Sequence, residues 1–210
     1  MSQLDPIRWK IYPRTDGRLR VRAREIIESL RPDRVVLERL WGRSSSAARE
    51  NTLSYFHGHE EFPLHSDRAL THTPPRWLLL VAPRPRTTQT RLFDTENLKT
   101  IFGENYLRRA LFVQIARNGH YSRLLVDISN QQCIRYNPDV MRAVNAEASA
   151  IDEYLRSPKC NTITIDWRAN YMTLVDNWAM LHARSAFTDN DDVSLFRFSV
   201  WSKINDLDIS

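Results

Sequence analysis

From about residue 76 onward the sequence is a succession of short runs rich in β-branched and aromatic residues, and this pattern limits the possible folds most strongly. Asn, Gly, Pro or Asp separates several of the runs, which read RWLLLVAP, TQTRLFD, LFVQIAR, YSRLLVDI, QCIRYN, NTITIDW, YMTLVDN and VSLFRFSVW. The regular alternation of strands and helices that a parallel α/β sheet requires does not occur. The pattern therefore predicts a mainly β fold with flanking helices, in which an antiparallel double sheet forms a jelly roll.

Helical spacing of apolar residues occurs before and between these runs. Residues 19–31 have this spacing, and residues 33–41 continue it with Asp33 as a candidate N-cap. Two further helices are predicted near 94–109 and 138–157. The apolar side of the last one consists of Met141, Val144, Ala148, Ile151 and Leu155.

The chain length of 210 residues suits one domain with a substantial core. We expect a single domain over residues 1–210, with a helical N-terminal part at 1–55 and a jelly-roll core at about 56–204. No apolar run approaches the roughly 20 residues of a membrane span, and the N-terminus lacks the apolar stretch of a secretion signal. Cys133 and Cys160 are then expected to be reduced thiols in a cytoplasmic protein.

The formal net charge is +5, and arginine supplies nearly all of the basic residues. The codon bias of a GC-rich genome explains this composition, and so does an anionic substrate, because guanidinium groups match carboxylates in geometry. The basic residues are scattered apart from RLRVRAR at 18–24, which is typical of the solvent-facing side of a helix. A nucleic-acid partner is therefore not favoured.

Residues 62–80, FPLHSDRALTHTPPRWLLL, contain a candidate metal site. His65 and Asp67 are separated by one residue, so in an extended segment an imidazole and a carboxylate face the same ion. His182, between two strand-like runs, is the candidate for a third ligand. Two histidines and one aspartate form the facial triad of non-haem iron oxygenases, whereas zinc more often recruits a third His or a Cys. Separately, each residue also fits an ordinary structural role.

The remaining histidines compete less well for a metal. His57 and His59 form an H-x-H pair close to the first site and are an alternative zinc site. His72 lies in a Thr- and Pro-rich loop, and His120 follows an Asn-Gly turn signal that predicts an exposed strand start.

Arg197 is a charged residue in an otherwise apolar strand, where it shares a face with Leu195. A buried arginine requires an anion. A dicarboxylate cosubstrate supplies one, and the Thr90 hydroxyl can add a hydrogen bond to it. An internal ion pair with Asp94 or Asp176 explains the arginine equally well.

The order of these motifs resembles the taurine dioxygenase and clavaminate synthase family. The resemblance spans roughly residues 60–201 and rests on HSD at 65–67, PPRWLLLVAPRP at 74–85, TTQTRLFD at 87–94, TITIDWRANYMTLVDNWAMLHARSAF at 162–187 and FRFSVW at 196–201. It implies a double-stranded β-helix in which His65, Asp67 and His182 hold Fe(II). It also implies 2-oxoglutarate as cosubstrate, gripped at its far carboxylate by Thr90 and Arg197, with O₂ as the oxidant.

The activity that the resemblance implies is hydroxylation or desaturation of a small molecule, such as an amino acid or a natural-product intermediate. Arg135 and Arg184 are candidates for a substrate carboxylate, with a structural role as the alternative. The chain departs from the family at the Gly-Gly usual before the threonine, where Thr-rich residues stand, and at Ala169-Asn170, which replaces a Gly-Asp turn. The alternative functions are a jelly-roll binding protein without catalysis and a nucleic-acid-directed oxygenase.

Overall fold

A computed structural model describes residues 7–14, 18–40, 53–115, 119–188 and 195–202. The strands in this part are β1 (Trp9–Pro13), β2 (Pro32–Leu40), β3 (Phe62–His65), β4 (Trp77–Val81), β5 (Thr90–Asp94), β6 (Leu111–Gln114), β7 (Tyr121–Arg123), β8 (Leu125–Ile128), β9 (Gln131–Ile134), β10 (Met141–Ala143), β11 (Ile163–Ile165), β12 (Asn170–Asp176), β13 (Met180–Arg184) and β14 (Leu195–Ser202). The helices are α1 (Leu19–Ser29), α2 (Leu53–His57), α3 (Glu96–Phe102), α4 (Glu104–Arg109) and α5 (Ala146–Arg156). None of these helices combines the length and the apolar character that crossing a membrane requires.

Two antiparallel sheets form the centre of the fold. The larger has five strands in the order β1-β12-β4-β14-β2, and the smaller has four in the order β11-β5-β13-β3. Each strand pair in them is antiparallel. A three-stranded sheet, β10-β6-β7, and the hairpin β8-β9 complete the described β structure. The mainly β, jelly-roll fold predicted from the sequence is confirmed.

Three apolar layers hold the sheets and helices together. The inner layer lies between the two large sheets and joins Leu78 and Leu80 of β4 to Leu92 of β5 and Met180 of β13. The second layer covers the outer face of the five-stranded sheet with α1. The third covers the outer face of the four-stranded sheet with α3, α4 and α5. Burial on both faces keeps the strands of the two sheets in fixed register, because a slip of one residue would exchange inner and outer side chains.

Strand β14 shows how this layering places a charge between the sheets. Leu195 belongs to the inner apolar layer, while Phe196 and Phe198 pack in the outer layer beneath α1. Because side chains alternate along a strand, Arg197 projects from the inner face, as its position next to the phenylalanines predicted.

The helix predicted at 33–41 is wrong, because residues 32–40 form strand β2 at the edge of the five-stranded sheet. The apolar spacing here fits a helix, but Val35 and Val36 are β-branched and favour a pleated strand. Pairing with β14 along eight positions, including Glu38 opposite Arg197, stabilises the extended form. The N-terminal part therefore contributes β1 and β2 to the sheet as well as helix α1.

The other predicted helices are shorter than expected. The one near 94–109 is divided into α3 and α4 at Gly103, whose φ of 82° is accessible mainly to glycine. The one near 138–157 begins only at Ala146, where the Asn145 side chain accepts a hydrogen bond from the Ala148 amide and caps the helix. The preceding Met141 lies in strand β10 instead.

Candidate metal centre

Strands β3 and β13 bring the two candidate histidines together. His65 ends β3, and the antiparallel register places His182 of β13 directly opposite it. The ring centroids are 4.3 Å apart, and both side chains are buried. Residues far apart in the sequence therefore share one site because the two strands are neighbours in the four-stranded sheet.

Asp67 lies just beyond the end of β3, and its backbone is fixed by hydrogen bonds. The Ser66 amide donates to the Tyr136 carbonyl at 2.7 Å. The Asp67 amide donates to Asn177 Oδ1 at 2.8 Å, and Asn177 Nδ2 donates back to the Asp67 carbonyl at 3.1 Å and to the Pro75 carbonyl at 2.9 Å. Asn177 is thus a buried positioning residue, which the sequence analysis did not identify because its role depends on this long-range contact.

The three side chains converge on a small volume. Asp67 Oδ1 is 3.9 Å from His65 Nε2, and Asp67 Oδ2 is 3.8 Å from His182 Nε2. One ligand atom from each residue lies within 4.8 Å of the others. Within the described ranges of the chain, no other group of three or more His, Cys, Asp or Glu side chains has this spacing. The structure therefore assembles the three residues that the sequence singled out as metal ligands.

The charge state of the cluster suits a divalent cation. Burial lowers the pKa of His65, and burial together with the nearby His65 lowers the pKa of His182 to about 3. Burial tends to raise the pKa of Asp67, but Arg197 and the two histidines outweigh it and lower that pKa to about 2. At neutral pH the cluster thus contains two neutral imidazoles and one carboxylate, the protonation state that metal binding requires.

The orientation of the imidazoles also fits a metal. His65 Nδ1 is 2.8 Å from the Pro63 carbonyl and donates to it in the tautomer that leaves the Nε2 lone pair directed into the cluster. His182 Nδ1 is buried and has no hydrogen-bond partner among the described residues. Two nitrogen donors and one carboxylate match non-haem iron better than the usual zinc sites.

Arg197 contacts the cluster directly. Its Nη1 atom is 2.6 Å from both carboxylate oxygens of Asp67, and its Nη2 and Nε atoms are 2.8 Å and 3.2 Å from Glu38 Oε2. Burial alone would lower the pKa of Arg197, but the two carboxylates raise it overall. Arg197 thus lies next to the predicted metal ligands, and its contact with a cosubstrate remains a prediction.

The two aspartates considered as internal partners of Arg197 pair with other residues. Asp94 forms an ion pair with Arg8, and Asp176 lies 3.5 Å from Arg76 Nε. The internal ion pair of Arg197 therefore exists, with Asp67 and Glu38 in place of the expected partners. Glu38 was missed because it belongs to the segment predicted as a helix.

Thr90, the second predicted cosubstrate residue, is buried at the start of β5. Its Oγ1 accepts a hydrogen bond from Trp167 Nε1 at 3.0 Å. A hydroxyl has two lone pairs and one proton, so this bond leaves it able to donate to a carboxylate. Its role toward a cosubstrate stays a prediction.

Arg184 and Arg135 bind backbone carbonyl groups. Arg184 donates to the carbonyls of Gly58 at 2.9 Å and Glu60 at 2.5 Å, and its guanidinium lies 3.6 Å from the ring centroid of Phe62 and 4.4 Å from that of Phe187. Arg135 donates to the His72 carbonyl. Both arginines therefore hold loops in place, which is the structural alternative stated above.

The histidines that were considered for zinc have other contacts. His57 Nε2 is 2.9 Å from Asp139 Oδ2, and the His59 ring packs on Phe187 with a centroid distance of 4.7 Å. His120 is exposed, as its turn signal predicted. In the described part of the chain none of them belongs to a group with metal-ligand spacing.

Much of the positive charge on the surface is compensated locally. Helix α1 contains all of the RLRVRAR segment except Arg18, and Arg22 and Arg24 pair with Glu25 and Glu28 one turn later. Similar pairs occur at Arg108 with Asp127 and at Arg156 with Asp152. The basic composition therefore does not form a continuous cationic face on α1.

Comparison with known proteins adds a family and several similar structures. The model of the family described as "Taurine catabolism dioxygenase TauD, TfdA family" matches residues 81–199, more than half of the chain. The match includes Thr90, His182 and Arg197, and it begins after His65 and Asp67. No curated protein matches the chain significantly.

The similar solved structures are oxygenases of low sequence identity. Asparagine oxygenase (AsnO) is 16% identical with a TM-score of 0.61, and the alignment covers 79% of this chain and 55% of that one. The non-haem iron oxygenase OrfP, solved with Fe and α-ketoglutaric acid, is 14% identical with a TM-score of 0.56 and coverages of 79% and 56%. PvcB from Pseudomonas aeruginosa is 16% identical with a TM-score of 0.53 and coverages of 79% and 63%. The chain thus spans little more than half the length of these structures, and the likeness shows a shared fold.

Proposed function

Because the chain belongs to the TauD, TfdA family of taurine catabolism dioxygenases, we propose that it is a non-haem iron oxygenase that uses 2-oxoglutarate and O₂. The observation that carries the proposal is the buried cluster of His65, Asp67 and His182, with one donor atom of each within 4.8 Å of the others. When bound, iron and 2-oxoglutarate supply the oxidation of a substrate C–H bond by O₂, with release of succinate and CO₂.

The chain's own residues hold and orient this centre. His65, Asp67 and His182 are the proposed Fe(II) ligands, with a single negative charge that partly balances the cation. Asn177 keeps the Asp67 backbone in place, and the Pro63 carbonyl keeps the His65 ring in the tautomer that presents Nε2. Leu92 of the inner apolar layer is paired with His182 across β5 and β13, so the ligand lies beside the apolar core.

Arg197 and Thr90 are the proposed contacts of the far carboxylate of 2-oxoglutarate. Arg197 supports this role because it is a cation on the inner face of β14, beside the proposed ligands, with 17% of its side chain exposed. Thr90 supports it because its hydroxyl is buried on the facing sheet. A guanidinium and a hydroxyl together satisfy the lone pairs of a carboxylate.

The proposed substrate is a small molecule, with an amino acid or an amino-acid-like natural-product intermediate as the favoured class. Two proteins of similar fold support this class, since AsnO was solved with 3-hydroxyasparagine and OrfP with (3S)-hydroxy-L-arginine, each with succinate. Hydroxylation is the proposed outcome, with desaturation as the alternative of the same oxidation. A cytoplasmic location is proposed because Cys133 and Cys160 are free thiols.

The experiment that tests the function begins with anaerobic titration of Fe(II), followed by 2-oxoglutarate, into the full chain. We expect one equivalent of iron to bind, and 2-oxoglutarate to bind only after the iron. O₂ and a panel of amino acids are then added, and we expect one of the amino acids to be oxidised with release of succinate. Retention of stoichiometric iron after removal of any two of the three proposed ligands would contradict the site.

A further inference from the structure

The guanidinium of Arg197 has two sides with different partners. The Nη1 atom faces inward and contacts Asp67, while the Nη2 and Nε atoms face the edge of the sheet and share Glu38 Oε2. The exposed fractions of the side chains are 7% for Asp67 and 35% for Glu38. The inner contact is therefore closed to solvent, and the outer contact is accessible.

The two carboxylates also differ in how firmly they are held. The Asp67 backbone is clamped by Asn177, whereas Glu38 lies on the edge strand β2 and has a longer, more flexible side chain. Glu38 Oε1 is 3.6 Å from Arg68 Nη2, which offers a second cation. Glu38 can thus leave Arg197 and keep a partly exposed ion pair, whereas Asp67 would remain as an uncompensated buried charge.

We propose that Glu38 regulates ligand binding next to the metal centre: it fills the outer side of Arg197, a carboxylate subsite, until the carboxylate of a ligand replaces it. This inference rests on the proposed function and deepens it. The subsite takes a carboxylate because the Nε and Nη2 donors form the fork that carboxylates bind, and both atoms already donate to Glu38 Oε2.

The exchange is energetically balanced, because one carboxylate replaces another on the same guanidinium and Glu38 moves to Arg68. Competition of this kind reduces the apparent affinity for the ligand by the fraction of molecules in which the subsite is open. If Glu38 occupies Arg197 in about nine molecules out of ten, its neutralisation raises the affinity about tenfold. A residue that only supported the site would have the opposite effect when replaced.

The test measures ligand binding to the full chain loaded with Zn(II), which has no redox chemistry, by isothermal titration calorimetry. Glu38→Gln keeps the side-chain shape and removes the charge, and Glu38→Ala removes the contact as a second variant. The ligands are 2-oxoglutarate and 2-oxobutyrate, which has the same keto-acid end and no second carboxylate. Asp127→Asn, which removes a carboxylate from the surface ion pair with Arg108, is the matched control.

If the subsite takes the cosubstrate, both Glu38 variants bind 2-oxoglutarate about tenfold more tightly and 2-oxobutyrate as before, while Asp127→Asn changes neither. If the subsite takes the substrate instead, the two Glu38 variants bind 2-oxoglutarate as the parent chain does. In that case L-asparagine or L-arginine, added to protein saturated with 2-oxoglutarate, binds more tightly to the Glu38 variants than to the parent chain. Unchanged or weaker binding of every ligand overturns the inference while leaving the proposed function intact. A parent chain that binds neither Zn(II) at the triad nor 2-oxoglutarate overturns both.

Discussion

Arg197 of β14 and Arg184 of β13 are partly buried cations on different sheets, and their surroundings are opposite. Arg197 lies between the carboxylates of Asp67 and Glu38, which raise its pKa despite burial. Arg184 binds the carbonyls of Gly58 and Glu60, and burial, with some repulsion from Arg86, lowers its pKa to about 10. A buried arginine therefore does not by itself indicate an anion, because carbonyl dipoles and aromatic faces can also stabilise it.

The difference separates the region of the proposed metal centre from a region that supports the fold. In the Arg197 region the charges of the arginine, two carboxylates and two histidines depend on one another, so removal of one member changes the others. In the Arg184 region the contacts are neutral and local, and they hold the loop before β3. Substitutions in the two regions should therefore differ in the size and kind of their effects.

The largest effects are expected from the triad. Replacing a residue that only supports a metal ligand typically lowers metal affinity roughly 10- to 100-fold. We expect a larger loss, and turnover at background level, in each of the variants His65→Ala, Asp67→Ala and His182→Ala. Metal content after dialysis and succinate release measure the two effects, and circular dichroism checks the fold. His120→Ala, at an exposed histidine, should behave as the parent chain. Normal turnover in two of the three variants would refute the assignment.

Arg197→Ala should have the next largest effect, on both stability and ligand binding. Removing one partner of a buried ion pair leaves Asp67 uncompensated, at a cost of about 3–5 kcal/mol in the free energy of unfolding. Binding of 2-oxoglutarate should weaken by about 2–5 kcal/mol, and Arg197→Lys should recover only part of either loss because the fork is absent.

Urea unfolding and calorimetric titration distinguish these two roles of Arg197. A loss of stability with unchanged 2-oxoglutarate affinity would assign the arginine to Asp67 alone and would remove it from the cosubstrate site. The reverse result, weaker binding at full stability, would mean that the ion pair with Asp67 contributes little to the fold.

The metal-free chain should lose stability as the pH falls below about 6.5. Burial lowers the pKa of His182 in the folded protein to about 3, so between these pH values the unfolded chain binds more protons than the folded chain. For this histidine, each pH unit below 6.5 should therefore lower the free energy of unfolding by about 1.4 kcal/mol. The depressed pKa of Asp67 adds a loss in the same direction as the pH falls from about 3.8 toward 2.

Denaturation midpoints between pH 7 and pH 4 test this acid sensitivity. His182→Asn should flatten the dependence, whereas Arg184→Met should leave its slope unchanged, because the Arg184 guanidinium, with a pKa of about 10, stays protonated throughout this range. An equal slope in the His182→Asn variant would show that the acid sensitivity arises elsewhere.

Arg184→Met should cost about 1–3 kcal/mol of stability, because the apolar stem still packs on Phe62 and Phe187 while the hydrogen bonds to the carbonyls are lost. Affinity for 2-oxoglutarate should change little. A large specific loss of ligand affinity at normal stability would transfer the carboxylate role from Arg197 to Arg184.

The smallest effect is expected at Arg108, which, like Arg197, contacts two carboxylates but at the surface. Arg108→Ala removes ion pairs with Glu104 and Asp127 and should change neither stability nor ligand binding measurably, since solvent screens such pairs. A destabilisation comparable to that of Arg197→Ala would mean that burial is not what distinguishes the two arginines.

Local patterns in the sequence determined much of this protein. The one-residue spacing of His65 and Asp67 places an imidazole and a carboxylate 3.9 Å apart, and the alternation around Arg197 places it on the inner face of β14. The apolar positions Ala148, Ile151 and Leu155 are buried on α5 as their spacing predicted. These properties depend on neighbours within a few residues, so a single segment contains the information.

Only the tertiary structure decided which segments meet. The register of β3 with β13 places His182 opposite His65, and pairing with β14 makes residues 32–40 a strand although their spacing favours a helix. Asn177 and Glu38 acquire their roles from contacts with Asp67 and Arg197 that are distant in the chain. Contacts of this kind depend on strand order and register, which the burial of both sheet faces selects for the whole domain and no local pattern specifies.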